Sequence, residues 1–197
     1  VIVNIRGTSG SGKSTVARNV MKRYDSVSPH HIEGRKQPLY YICDTQGGFQ
    51  QLAVIGHYET ACGGTDTITK MDEIFEIIRD LATRGYNVLF EGLLLSAEFN
   101  RMAALAKDFD CVVLGLTEVP LDVCFDSIMA RRKEKADKAG REPKPPGPNM
   151  RKNLESKWKG TVQTCARLEA AGCRVYKCTR ERALKLCLAE LECPPCG

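Results

Sequence analysis

Gly7-Thr8-Ser9-Gly10-Ser11-Gly12-Lys13-Ser14 sets three glycines, a lysine and four hydroxyls at the spacing of a phosphate-binding loop. Glycines at these positions let the chain curl until successive backbone N–H groups converge on an anion. An apolar run, Val1–Ile5, precedes the loop as a strand, and a helical pattern over Lys13–Tyr24 follows it. The positive end of that helix then faces the same anion. Here Gly7, Thr8, Ser9, Gly10, Ser11 and Gly12 form the cradle, and Lys13 bridges the β- and γ-phosphates of ATP. Ser14 is placed to ligate Mg²⁺, and Thr15 supports the α-phosphate.

Moving a phosphoryl group also needs acids and further cations. Val88-Leu89-Phe90-Glu91-Gly92 is an apolar strand ending in an acid, where a carboxylate can hold the metal's hydration shell or take a proton. The plainer alternative is a charge that caps a strand end. Tyr40-Tyr41-Ile42-Cys43-Asp44 ends a second strand, Leu39–Cys43, in the same way. Parallel sheets bind ligands beyond the carboxyl ends of their strands, so Asp44 and Glu91 are both expected to face the loop. Asp44 is the expected base for the acceptor's proton. Ala130-Arg131-Arg132-Lys133-Glu134-Lys135 leads into Gly140–Pro148, whose four prolines forbid helix or strand. That segment, about 131–160, is expected to form a helical lid, with Arg131 catalytic and Arg132 on the nucleotide as it closes. The same cations would also suit the end of a solvated helix.

The elements that must position these residues alternate. Strands Val1–Ile5, Leu39–Cys43, Asn87–Phe90, Cys111–Leu116 and Cys173–Lys177 are interleaved with helices over Met71–Thr83, Ala97–Lys107, Leu121–Lys135, Met150–Ala171 and Glu181–Leu191. Alternation predicts an α/β fold of three layers, a parallel sheet between helices. The 197 residues fit one domain, 1–197, and 43% hydrophobic content is enough for a core. No apolar stretch approaches the roughly 20 residues of a membrane span, and no secretory leader pattern opens the sequence, so a cytoplasmic protein is expected. Six of the ten cysteines follow residue 164. Cys193-Pro194-Pro195-Cys196 looks like half of a zinc knuckle, with Cys173, Cys178 or Cys187 completing it; reduced thiols are the default. No Asn-Lys-x-Asp guanine motif occurs and the chain is short for a motor ATPase, which leaves a small kinase.

On these residues the chain resembles the nucleoside- and nucleotide-kinase branch of P-loop proteins over nearly its whole length. The resemblance implies five parallel strands in the order 2-3-1-4-5. Ile5–Ser14 and Tyr58-Glu59-Thr60-Ala61-Cys62-Gly63-Gly64-Thr65-Asp66-Thr67 are more closely similar to bacteriophage kinases. Some of those phosphorylate the hydroxymethyl group of 5-hydroxymethyluracil in DNA on the way to hypermodified thymine. The resemblance implies that acceptor and, for a phage-encoded chain, the host cytoplasm.

The acceptor is expected beside His57–Asp66. Gly63 and Gly64 allow close backbone approach, Tyr58 offers a ring to a base, and Asp66 either takes part in chemistry or caps the next helix. From Arg131 to Lys159 eleven Lys/Arg face four acids, a surplus of seven that exceeds the whole chain's net charge of +5. Such a patch can track a phosphate backbone with Trp158 stacked on a base, or can be a solvated face. Arg180, after the last strand, is expected beside adenine. Two other functions fit the same loop. A deoxynucleoside monophosphate kinase needs a phosphate-gripping arginine, for which Arg101 is the candidate. A non-catalytic ATP-binding module needs neither Asp44 nor an acceptor.

Overall fold

Strands β1 (Ile2–Arg6), β5 (Asn87–Glu91) and β6 (Cys111–Gly115) are buried at every residue, as strands covered on both faces must be. A computed structural model describes residues 1–46, 50–60 and 63–192 of the chain. The other strands are β2 (Ser26–His30), β3 (Tyr40–Asp44), β4 (Leu52–Ile55) and β7 (Arg174–Lys177). The helices are α1 (Lys13–Met21), α2 (Met71–Thr83), α3 (Asn100–Asp108), α4 (Leu121–Lys138), α5 (Met150–Ala170) and α6 (Arg180–Glu190). Short 3-10 turns lie at Thr65–Thr67 and Leu94–Ala97, so the helix expected over Ala97–Lys107 is a turn followed by α3.

One seven-stranded sheet runs β2-β3-β4-β5-β1-β6-β7. Side chains alternate across it. On one face Val3, Ile5, Leu89 and Val112 pack with Val16, Val20, Ala183 and Cys187 of α1 and α6. On the other, Ile2, Val88 and Phe90 pack with Ile74, Ile78, Met102, Leu105 and Leu168 of α2, α3 and α5. These are the three layers expected.

The sheet differs from five parallel strands in two respects. It has seven strands, and β2–β3 and β3–β4 pair antiparallel. The parallel part, β4-β5-β1-β6-β7, keeps the 2-3-1-4-5 pattern, but β4 occupies the second place, not the Leu39–Cys43 segment. Because β3 runs backwards, Cys43 pairs with Leu52, and Leu52 pairs with Asn87 at the amino end of β5. Asp44 therefore lies at the sheet edge opposite the phosphate loop, roughly 15 Å away by strand rise. It is exposed, and its Oδ1 accepts from Thr45 N at 2.8 Å. The expectation that Asp44 is the catalytic base is overturned by strand direction.

Cys111, Cys124, Cys165, Cys173 and Cys178 are free thiols. Cys193 and Cys196, the knuckle-like pair, lie outside the described residues, among which no cluster of three or more His, Cys, Asp or Glu side chains able to hold a metal occurs. No described helix is long and apolar enough to cross a membrane.

Candidate active site

The carboxyl ends of β1 and β5 are neighbours, with Ile5 paired to Glu91. β1 delivers the chain into the loop 7–12, and β5 delivers Glu91 beside it. Gly12 (φ 98°) ends the loop in the left-handed region and heads α1, whose first turn holds no acid and no side-chain cap. Its leading N–H groups are therefore left for an anion. A Cβ on Gly12 would come 2.7 Å from Arg180 Nε, and one on Gly10 (φ 75°) would strike the Cys124 carbonyl. Within the loop the Ser11 hydroxyl is buried without a partner and is not among the residues that line the cavity above the loop.

Lys13 is 8% exposed, and its Nζ donates to Gly7 O at 2.8 Å and Thr8 O at 3.1 Å. Burial lowers its pKa, while Glu91 and Asp66 pull the other way. Ser14 Oγ donates to Glu91 Oε1 at 2.7 Å. Glu91 is 1% exposed; burial raises its pKa to about 6, against the pull of Lys13 and the Ser14 hydrogen bond. A cavity of about 360 Å³ opens over these groups. Ser9, Gly10, Gly12, Ser14 and Thr15 line one side, Gly63, Asp66 and Leu93 another, and Ser127, Arg131 and Arg180 close it from α4 and α6.

Thr8 departs from a phosphate ligand's role, because its hydroxyl donates to Leu154 O of α5 at 3.2 Å and ties the loop to that helix. Arg180 lies along the loop: Nε donates to Ser11 O at 2.7 Å, and a terminal nitrogen donates to Gly10 O at 2.6 Å and Ser127 Oγ at 3.1 Å. Arg132 lines a different cavity, about 490 Å³ between α4 and α5, with Lys157 and Asn153; Ser9 and Arg131 border both cavities.

Across the cavity from the loop, His57 and Gly64 exchange backbone hydrogen bonds of 3.0 and 2.8 Å, which hold the two residues side by side. Gly64 (φ 88°) presses against β5, where a Cβ would collide with the Glu91 carboxylate. That approach is to Glu91 and not to an acceptor, the contact for which the two glycines were expected. Asp66 Oδ1 accepts from Leu93 N at 2.8 Å. It does not cap the next helix, since α2 starts at Met71 with Lys70 before it.

Three expected contacts are not brought to the cavity. Tyr58 is 7% exposed, edge-on to Tyr41 at 6.1 Å between ring centres and covered by Arg18. It supports the loop from behind Gly63 and has no free face for a base. Arg101 Nε is held by Asp72 at 2.6 Å, with Glu98 3.6 Å away, so its charge is already matched. Trp158 is half-buried, and its indole N–H donates to Thr117 O at 3.1 Å. A ring anchored at its polar edge to the β6–α4 connection is structural.

Other contributors stand outside the motifs of the sequence. Arg18 donates to Tyr58 O at 3.1 Å and to Thr60 O, fastening the segment after β4 to α1. Ser96 Oγ accepts from Gly7 N at 3.0 Å and joins the turn after β5 to the phosphate loop. Arg18 could have been suspected from its place one turn after Ser14, on the same helix face.

A phosphate cradle, a buried lysine and a buried carboxylate, faced by a second loop that brings another carboxylate, define a P-loop phosphotransferase. No family model matches the chain. A 5-hmdU DNA kinase of Pseudomonas phage PaMx11 is 48% identical over 183 residues, 92% of each chain. The chain belongs to the family of 5-hmdU DNA kinases. A relative of that name in Bacillus phage SP10 is 24% identical over 180 residues, covering 87% of this chain and 26% of its own length. A deoxyadenosine kinase from M. mycoides, solved with bound dATP, aligns over 98% of this chain at 14% identity with a TM-score of 0.37.

Proposed function

We propose that the chain transfers the γ-phosphate of ATP to the hydroxymethyl oxygen of 5-hydroxymethyluracil in DNA. The observation that carries this is the convergence of Lys13, Ser14, Glu91 and Asp66 on one cavity whose far wall is the 63–66 loop. The acceptor oxygen attacks the γ-phosphorus, a new O–P bond forms, and the bond to the β-phosphate oxygen breaks to release ADP. Asp66 takes the acceptor's proton. It is exposed at the cavity wall, and one of its oxygens is steadied by Leu93 N. Lys13 and Arg131 offset charge on the transferring group.

The hydroxyl of Ser14 and the carboxylate of Glu91 form an all-oxygen pair that suits Mg²⁺. When bound there, Mg²⁺ would neutralise phosphate charge. Glu91 in this role explains why an acid is kept at a buried position that raises its pKa. That burial has its own consequence. Between the ordinary value of 4.5 and about 6, the folded chain holds a proton on Glu91 that the unfolded chain has released. Raising the pH through that window therefore costs stability, about 2 kcal/mol once complete. Denaturant unfolding without nucleotide should show Glu91→Gln gaining about that much on the parent chain as pH rises through the window. A difference that stays flat with pH would mean Glu91 titrates normally.

DNA is expected along α4 and α5. Of the eleven cations between 131 and 159, Lys138, Arg151 and Lys159 are paired with Glu134, Asp122 and Glu155. Arg132 and Lys157 line the second cavity, which adjoins the first at Ser9 and Arg131. Alanine at either should weaken DNA binding and reduce the slope of log affinity against log salt by about 1, with the KM for ATP unchanged. An unchanged slope would remove that residue from the phosphate track.

Labelled ATP offered with hydroxymethyluracil DNA, ordinary DNA and free deoxynucleotides tests the acceptor. Label in the modified DNA alone is expected. Label in free nucleotides would mark a nucleotide kinase, and label nowhere a binding module.

A further inference from the structure

We propose that Leu94 is a wedge that enters the DNA stack when the hydroxymethylated base leaves it for the cavity; this rests on that base in DNA being the acceptor. The reacting groups lie at the floor of a concavity. Glu91 and Lys13 are almost wholly buried, and about 360 Å³ must hold the terminal phosphates as well as the acceptor. That is near the lower end of the range for one small ligand. Ser127 and Arg131 wall the cavity from α4, and Gly63 and Leu93 wall it from across.

A hydroxymethyl arm reaches only two bonds beyond the ring. Its oxygen must come within about 3–3.5 Å of phosphorus to react. In a paired base that arm lies in the major groove, about 8.5 Å deep, between backbones that would meet the cavity walls first. The base has to leave the stack, as it does in other enzymes that act on bases. The gap left behind is unfavourable, and proteins that unstack DNA commonly fill such gaps with an apolar side chain.

Leu94 has the place and the rigidity for this. At 68% exposed it is the most exposed large apolar side chain among the described residues. A lone exposed leucine needs no explanation by itself. This one immediately follows Leu93, which lines the cavity on the side of Gly63 and Asp66, so its backbone lies beside that wall while its side chain is exposed. Its turn is fastened on both sides. Leu93 N donates to Asp66 Oδ1 at 2.8 Å, and Ser96 N donates to Leu93 O at 3.2 Å. Leu95 is buried in the core, and Ser96 Oγ holds Gly7 N at 3.0 Å. A side chain on so braced a turn can be pushed between bases without the turn giving way.

The test compares Leu94→Ala with the parent chain on three substrates carrying one hydroxymethyluracil: a matched duplex, a duplex mismatched at that base, and a single strand. The expected result is a loss of roughly tenfold or more in kcat/KM on the matched duplex, a smaller loss on the mismatch, and a change under about twofold on the single strand. A 2-aminopurine beside the modified base should brighten when the parent chain binds the duplex, and brighten less with Leu94→Ala. Equal losses on all three substrates, no loss on any, or a parent chain active only on single strands overturns the wedge while leaving the kinase function intact. A parent chain that labels none of the three overturns the proposed function itself.

Discussion

Lys13→Ala should abolish phosphoryl transfer to every acceptor, lowering turnover by at least about 10³-fold while the protein remains folded. Nζ bonds to Gly7 O and Thr8 O, two carbonyls that curl around it. The loop's own backbone therefore fixes where the ammonium stands. Lys13→Arg should not rescue. The site is buried and built for a compact charge, and a planar fork cannot match two carbonyls folded around one nitrogen. The substitution reaches Glu91 as well. Lys13 attracts the ionised carboxylate, so its loss should carry the Glu91 pKa above its value of about 6. Single-turnover transfer from labelled ATP measures the first effect, and circular dichroism melting checks that the fold survives. A Lys13→Ala protein within tenfold of normal turnover would show that the loop does not deliver the phosphate.

The nucleotide half of this site was legible because it is written in one continuous stretch. Residues 7–14 fix their own geometry: glycines where φ is positive, then a helix start with no cap of its own. The acceptor half depends on pairing between distant strands, which local pattern does not encode. Leu39–Cys43 and Leu52–Ile55 are both short apolar runs, and either could lie beside β5. The choice fell to β4, and β3 was turned over. With it went Asp44, whose apparent place at a strand end is real but at the wrong edge. β2 left little trace at all: Ser26-Val27-Ser28-Pro29-His30 is exposed throughout, as an edge strand tolerating proline can be. Arg101 and Trp158 failed for a related reason. Each is the right residue type for its expected task, but the fold has already engaged each of them, Arg101 with Asp72 and Trp158 with Thr117. At Gly64 the missing Cβ makes room for the Glu91 carboxylate, a partner on a distant strand that the local sequence does not name.

With Asp44 displaced, proton transfer falls to the carboxylates that reach the cavity. Glu91 and Asp66 differ in what holds them. Glu91 is buried and bonded to Ser14, the hydroxyl placed for Mg²⁺, so its charge faces the phosphate side. Asp66 stands across the cavity beside Gly63 and Leu93, where an acceptor would enter, and one oxygen is steadied by a backbone N–H. Asp66→Asn should therefore slow transfer by about 10²-fold or more and leave ATP affinity near normal, because the amide keeps the contact to Leu93 N but cannot take a proton. Glu91→Gln should differ in kind, weakening Mg·ATP binding along with turnover. Asp44→Asn should change neither by more than about twofold, since no step takes place at that edge of the sheet. Nucleotide binding by calorimetry and single-turnover rates on hydroxymethyluracil DNA separate the three. A slow Asp44→Asn would restore the base to that residue and require β3 to lie parallel to β4. A fast Asp66→Asn would leave Glu91 as the carboxylate among the described cavity residues that receives the proton.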